Sequence, residues 1–395
     1  MIGGGGTGAA LAHDLTLRGL DVSLLERGEL FSGATGRHHG LLHSGARYAV
    51  HDPEAAKECF RENQILRSIA PYAIEANDGL FVAVDQDDLT YLDAFLEGCA
   101  AAGIPTQNLT RDQALALEPA LSPRTRLAVR VPDATIDAYR LPLSFLASAI
   151  ARGAVVRRFT EVVDFVRRDG AICGVRCRDR RDGHEGVLEG DIVVNTAGAW
   201  AGHVATLAGA TLPIRPGPGV MVALSGRLTR LALNRLQPAG EGDIIVPQRR
   251  LTVVGTSLWL ADEPDQLRLP EGHVQRMIAL GALLVPAVAE APIRAAWCAP
   301  RPLIDDGEPS TTGPVSGPQQ ISRTFRCYDH GSRDGQPGLL SVIGGKATTL
   351  RAMAESAADE VCELLGKPEA CRTHDVVLPH YRAFFHLRDQ GTRGV

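Results

Sequence analysis

The sequence predicts an α/β protein: a doubly wound sheet assembled from separated segments, with the intervening stretches forming a second domain over a ligand. Three observations carry this. A glycine cluster, Gly3 to Gly8, opens a helical pattern and leads on to an apolar strand that ends in an acid. A second strand-to-glycine turn, Gly344-Gly345, opens another helix late in the chain. Helical and strand-like segments alternate between the two, with no internal repeat.

The elements follow in order. Residues 7–18 read as the first helix, with Gly19 as its C-terminal cap. Residues 21–26 read as a buried strand. Only Met1 and Ile2 stand where a strand should precede Gly3, so a late start or a truncated first strand is expected. Residues 140–152 form a helix closed by Gly153. Residues 154–159, 161–167 and 171–178 are strands, the last two joined by an Asp169-Gly170 turn. Residues 191–195 (DIVVN) form a buried strand that runs into Thr196-Ala197-Gly198, and residues 249–257 form a further strand. Residues 339–343 lead through the second glycine turn into a helix over 347–365, capped by Gly366. Residues 305–320, rich in Pro, Ser, Thr and Gly, are the best candidate for a mobile segment. The tail after Gly366 has no clear period.

Bulk properties narrow the function. A chain of 395 residues suggests two domains, or one large domain with an insertion, and 45% hydrophobic content supports a large core. A formal charge of −5 argues against a nucleic-acid binder. The eight cysteines include no CxxC pair and no zinc spacing, which points to reduced thiols and a cytoplasmic setting. The most apolar run, residues 277–289, is too short to span a bilayer and contains Pro286. There are only three lysines, Lys57, Lys346 and Lys367, so the setting of each is informative.

Gly3, Gly5 and Gly8 satisfy G-x-G-x-x-G. The first allows a tight turn, the second lets backbone approach a pyrophosphate, and the third lets helix and strand pack closely. Glu26 ends the next strand, where a carboxylate can accept from ribose hydroxyls. This predicts a Rossmann-like dinucleotide site without deciding between NAD and FAD. The DIVVN-TAG return and the late Gly344-Gly345 turn favour FAD, and a separate nicotinamide site lacks a second glycine fingerprint.

The stretch GRHHGLLHSGARY (residues 36–48) sets three histidines, two arginines and a tyrosine among glycines. With its flanks it reads SGATGRHHGLLHSGARYAV, and it resembles the flavin-approach segment of the FAD-dependent glycerol-3-phosphate dehydrogenases, most closely the catalytic chain of the anaerobic form. NQIL (63–66), VPDATIDAYRL (131–141), RPLI (301–304) and GGKATT (344–349) extend the resemblance from Gly3 to about Gly366.

The resemblance implies a discontinuous FAD-binding domain of residues 1–75, 126–208 and 335–366. It also implies an α+β substrate-binding cap of residues 76–125 and 209–334 with an antiparallel sheet, and a divergent tail of residues 367–395. It implies cofactor contacts from Gly3, Gly5, Gly6, Thr7, Gly8, Glu26, Arg27, Thr35, Gly36, His39, Gly40, Leu41, Val163, Ala197, Gly198, Gly344, Gly345 and Thr348. Arg47, Tyr48, Thr256, Arg301 and Lys346 fall at its substrate positions. Arginine forks and a lysine charge suit a phosphate dianion. His43 is a candidate base or hydrogen-bond partner, and Arg301 an alternative that polarises the alkoxide. Thr256 reads equally as a strand-end hydroxyl, and His38 and His39 as flavin contacts or packing residues.

The activity implied is oxidation of sn-glycerol 3-phosphate to dihydroxyacetone phosphate. Electrons would pass toward a quinone through membrane-associated partners, and the chain would lie in the cytoplasm or peripherally on the cytoplasmic face of the inner membrane. Residues 215–224 (RPGPGVMVAL) replace a Lys-Gly-Ser turn of that family, so a substrate contact is expected to be missing there. The cysteine-rich C-terminal extension of the family's longer members is not expected within these 395 residues. Two further readings stay open: a related FAD-dependent oxidase or dehydrogenase of amino or 2-hydroxy acids, and a truncated non-catalytic remnant.

Overall fold

The computed structural model describes residues 1–306 and 324–391. The mobile-segment expectation for 305–320 therefore falls, beyond Asp306, outside the described residues.

The glycine turn works as its spacing requires. Gly3 takes φ +107°, and the helix Gly6–Leu17 follows, stopped at Gly19 with φ +77°. This helix is buried on nearly every side between the helices Arg140–Ile150 and Leu350–Leu364. Small residues Ala9, Ala10 and Ala12 make that close packing possible.

The sheet beneath it runs Val155–Arg158, Ser23–Glu26, Ile2, Val193–Asn195, Leu339–Gly344 and Phe325–Asp329. All are parallel except the last, which pairs antiparallel. The place of the first strand is filled by Ile2, which bridges Leu25 on one side and Asn195 on the other. Its N–H donates to Val194 at 2.8 Å, and its carbonyl accepts from the Thr196 N–H at 2.8 Å.

A second, eight-stranded sheet lies over this layer. Its order is Ile293–Ile304, Ile214–Ser225, Leu251–Gly255, Ile244–Gln248, Ala232–Arg235, Gly79–Ala83, Leu127–Val131 and Gln107–Thr110, mostly antiparallel. Two strands cross the expected domain boundaries. Leu127–Val131 pairs with Gly79–Ala83 in this sheet, and Phe325–Asp329 pairs with Leu339–Gly344 in the parallel one. Strand pairing, not sequence distance, sets those edges. The meander Thr160–Arg168, Ala171–Asp179 and Glu185–Glu189 turns at Asp169 (φ 53°) and Gly170 (φ 83°), the paired positive φ of a tight hairpin.

The structure adds to the sequence reading at three places. RPGPG is not a turn: it lies inside the strand Ile214–Ser225. The carbonyls of Pro216 and Pro218 accept from the N–H groups of Ala261 and Trp259, at 2.9 and 3.2 Å, so that edge is covered. The helix Pro53–Ile69 is absent from the sequence reading, although Asp52 caps it and Pro53 opens it. The tail also has structure. It carries the helix Ala383–Gly391 and buries Leu378 and Phe384 in the main core. Buried Arg351 ties it down, joining Glu62 and Glu355 and donating to Thr373 Oγ1 at 2.9 Å. Among the described residues no helix is long and apolar enough to cross a membrane.

One core residue makes the fold acid-sensitive. His13, on the first helix, is fully buried against Phe145, and neither ring nitrogen has a partner among the described residues. Burial first, and Arg152 second, push its pKa down to about 3. The folded state therefore prefers the neutral ring. Its contribution is complete above about pH 6.5 and is lost as pH falls toward 3. At pH 5 the loss is about 2 kcal/mol. His13→Leu is expected to shrink the stability difference between pH 7 and pH 5 by about that amount in urea titrations. An unchanged difference would contradict this.

Candidate active site

The two sheets enclose one large cavity of about 890 Å³. Its walls come from the glycine turn, the 31–52 segment, the 196–207 return, strand ends of the second sheet and the Gly344-Gly345 turn.

At one end lie Gly3, Gly5, Gly6, Thr7, Glu26, Arg27 and Thr35. The first helix begins there without a side-chain cap at Gly5. The Gly6 N–H donates to Thr35 Oγ1 at 2.8 Å. A helix N-terminus facing a cavity, its Gly6 N–H held by Thr35, suits a pyrophosphate. Glu26 already accepts from the N–H groups of Gly4 and Gly28, each at 2.8 Å, so it stitches the glycine turn to the loop beyond its strand. A carboxylate has further lone pairs for ribose hydroxyls. These residues fit the adenosine diphosphate half of FAD. Arg27 reaches Asp265 at 2.7 Å and lies over Trp200, bridging to residues 264–267 on the cavity wall. Glu26→Gln, which loses one acceptor and the charge, is expected to weaken FAD binding about tenfold by fluorescence titration.

His39, Leu41, Ala197, Gly198, Gly344, Gly345 and Thr348 line the cavity as well. Four predicted contacts do not line the cavity. Gly8 serves packing, since a Cβ there would stand 2.1 Å from the Gly3 carbonyl oxygen. Gly36 is packed against Phe31 and Tyr139, where a Cβ would come within 2.4 Å of the Phe31 oxygen. Gly40 (φ +86°) admits Gln248, whose Nε2 donates to the His39, Gly40 and Ile136 carbonyls. Val163 yields to Val162, because neighbouring residues on a strand face opposite ways.

All six substrate-side candidates line the cavity: His43, Arg47, Tyr48, Thr256, Arg301 and Lys346. His43, Arg47 and Tyr48 come from one segment, the last two on the turn Ala46–Tyr48, while Thr256, Arg301 and Lys346 come from three others. Arg301 donates to Thr256 Oγ1 at 2.7 Å and to the Gly217 carbonyl at 3.2 Å. Lys346 places its Nζ 5.0 Å from the Tyr48 ring centre. The His43 ring packs edge-on to Tyr48, with centroids 5.4 Å apart, and to His39 at 5.6 Å. Arg47 forms a fork to Asp243, both bonds 2.8 Å, with both side chains buried. Burial works against the Arg47 charge, but Asp243 outweighs it and holds the guanidinium protonated.

Burial keeps the neighbouring imidazoles neutral. His38 is pushed down to about 4, and His39 well below the usual histidine range by burial and then by the charges of His43, His38, Arg301 and Arg47. Each accepts a backbone N–H at Nδ1, from Gly40 and Leu41 respectively, which fits a neutral ring protonated at Nε2. Asp133, Asp243 and Gln248 carry much of this scaffold, and no local motif marks them as site residues. Their bonds to Ser44, Arg47 and His39 span between 89 and 209 residues of sequence.

Comparison with known proteins fits this geometry. The family model described as "DAO: FAD dependent oxidoreductase" matches residues 1–351. A chain of the anaerobic glycerol-3-phosphate dehydrogenase of Haloferax volcanii, named as one of its subunits, is 42% identical over 399 residues, covering 98% of this chain and 67% of its own. The corresponding chain of the Escherichia coli K12 anaerobic enzyme is 40% identical over 382 residues, covering 96% and 69%. Among solved structures, glycine oxidase from Geobacillus kaustophilus matches with TM-score 0.74 at 22% identity, covering 96% of this chain and 97% of that one. The glycerol-3-phosphate dehydrogenase from Bacillus halodurans complexed with FAD matches with TM-score 0.71 at 23% identity, covering 99% and 70%. These two structural matches speak to the fold. The chain belongs to the DAO family of FAD dependent oxidoreductases, in the group of the anaerobic glycerol-3-phosphate dehydrogenases, and is itself an FAD-dependent oxidoreductase.

Proposed function

We propose that this protein oxidises sn-glycerol 3-phosphate to dihydroxyacetone phosphate and passes the electrons on toward a quinone through membrane-associated partner proteins. Bound FAD supplies the hydride acceptor at N5. The chain does the rest: it holds the phosphate, orients the C2 hydroxyl and takes the hydroxyl proton.

The observation that carries this reading is the convergence of Arg301, Lys346 and Arg47 with His43 and Tyr48 on one cavity wall system. A phosphate monoester brings about two negative charges, which Arg301 and Lys346 match, with Arg47 already balanced by Asp243, better than a lone carboxylate would be matched. In this reading Arg301 and Lys346 grip the phosphate, while Arg47 borders it in an orientation set by Asp243. His43 accepts the proton from the C2 hydroxyl, with Arg301 as the alternative that stabilises the developing alkoxide. Tyr48 and Thr256 orient the glycerol carbons. Gly3 to Thr7, Glu26, Arg27, Thr35, His39, Leu41, Ala197, Gly198, Gly344, Gly345 and Thr348 hold FAD.

The names of the two relatives support the substrate, and their naming as subunits supports partners. We place the cofactor domain at residues 1–75, 132–208 and 324–366, with the cap between and the tail after it. These edges move the expected ones to follow the strand pairing. Inorganic phosphate tests the anion assignment. It is expected to compete with sn-glycerol 3-phosphate in steady-state assays, whereas acetate does not. Competition by acetate and none by phosphate would favour a carboxylate substrate instead.

A further inference from the structure

We propose that Asp133 is a positioning residue: by holding the backbone at Ser44 it fixes where His43 stands in the cavity. The inference rests on the reading of His43 as proton acceptor.

Residues 42–44 are gripped at successive backbone groups. The His43 N–H donates to Thr348 Oγ1 at 3.1 Å. The carbonyls of Leu42 and His43 accept from Asn63 Nδ2, each at 3.2 Å. The Ser44 N–H donates to Asp133 Oδ1 at 2.6 Å, the shortest of these bonds. Asp133 is only 2% exposed, and its other oxygen accepts from Asn234 Nδ2 at 3.3 Å. Gly79 makes the room, because a Cβ there would stand 2.7 Å from the Asp133 Cβ.

A buried carboxylate is expensive to keep unless a specific bond repays it. Here the short bond goes to the peptide that joins His43 to Ser44. Rotating that peptide would swing the imidazole, which already has His39 and Tyr48 as ring neighbours. Proton transfer needs its acceptor within hydrogen-bond reach of the reacting hydroxyl. A misplacement of about 1 Å costs about 10²-fold in rate.

The test is anaerobic flavin reduction in FAD-supplied protein. Asp133→Ala is expected to keep its full flavin complement and half-saturating substrate concentration, and to slow reduction about 30- to 100-fold. Asp133→Asn is expected to recover to within about fivefold, since its amide oxygen still accepts from Ser44. Its NH₂ group would meet Asn234 Nδ2, so the Asn234 amide must turn over to present its Oδ1, which has no partner among the described residues. Asn63→Ala loosens the same segment from the other side and is expected to show the same signature as Asp133→Ala. If Asp133→Ala binds no flavin, Asn63→Ala decides.

A flavin-loaded alanine variant that reduces at the wild-type rate overturns the inference. So does an Asp133→Asn variant as slow as Asp133→Ala, because the hydrogen bond would then not be the cause. The wild-type control separates the two readings. A wild type not reduced by sn-glycerol 3-phosphate sinks the substrate assignment, and the same variant ratios are then read with whichever of lactate, glycine or D-alanine does reduce it.

Discussion

Replacing Arg301 with methionine is expected to lower kcat/KM for sn-glycerol 3-phosphate by about 10³-fold while FAD stays bound. Arg301 sits on the strand Ile293–Ile304, opposite Gly217. Its guanidinium is fixed by Thr256 Oγ1 and by the carbonyls of Gly217 and Ser257. The neighbouring strand makes space for it: a Cβ on Gly219 would lie 2.4 Å from Arg301 Nη2 and 2.5 Å from Thr256 Oγ1. A guanidinium held this firmly loses little freedom when it meets an anion, so its bonds count nearly in full. Two charge-assisted bonds to a phosphate are worth about 4 kcal/mol, which is the expected 10³-fold. Arg301→Lys restores the charge without the fork and is expected to recover only about tenfold of the loss. Methionine is long enough to fill the slot, so packing survives. A loss below tenfold in Arg301→Met would remove Arg301 from the substrate site.

Gly8→Val is the second large effect, and it acts on the cofactor instead. The first atom of any side chain at this position would meet the Gly3 carbonyl oxygen at 2.1 Å and Thr196 Oγ1 at 2.9 Å. Neither can give way cheaply. The Gly3 N–H is bound to Leu25, and Thr196 Oγ1 donates to the carbonyls of Ile2 and Gly3. The helix Gly6–Leu17 must therefore lift off the turn, which moves its N-terminus away from the pyrophosphate position. The purified variant is expected to be colourless and less stable by about 4 kcal/mol. Gly186→Ala is the control, because a Cβ there meets nothing within 4 Å. It is expected to stay within about 0.5 kcal/mol of wild type. A yellow Gly8→Val protein would refute the packing role.

How much of the fold and site is legible in the sequence depends on range. Gly3, Gly8 and Glu26 can be read locally, because turn, helix start and strand end lie within one short unit. Lys346 and His43 emerge through resemblance, and both line the cavity. Arg47 reads as a phosphate contact, yet its fork to Asp243 is invisible in the sequence, since 196 residues separate the two. Asn63 and Asp133 lie inside NQIL and VPDATIDAYRL, but neither stretch reveals their role, because their bonds reach across the fold to a backbone segment. Val163 does not line the cavity while Val162 does, because neighbouring strand residues face opposite ways. Residues 215–224 are compared with a turn of the resembled family, and nothing local announces the segment near Trp259 and Ala261 that covers their carbonyls in the strand. The helix Pro53–Ile69 carries a readable Asp-Pro start that resemblance overshadows.

The most direct measurement is the visible spectrum of the FAD-loaded protein during anaerobic titration with sn-glycerol 3-phosphate. The account predicts that the flavin band bleaches with this compound and stays unchanged with lactate or D-amino acids. A bound flavin that keeps its colour through the titration would contradict it.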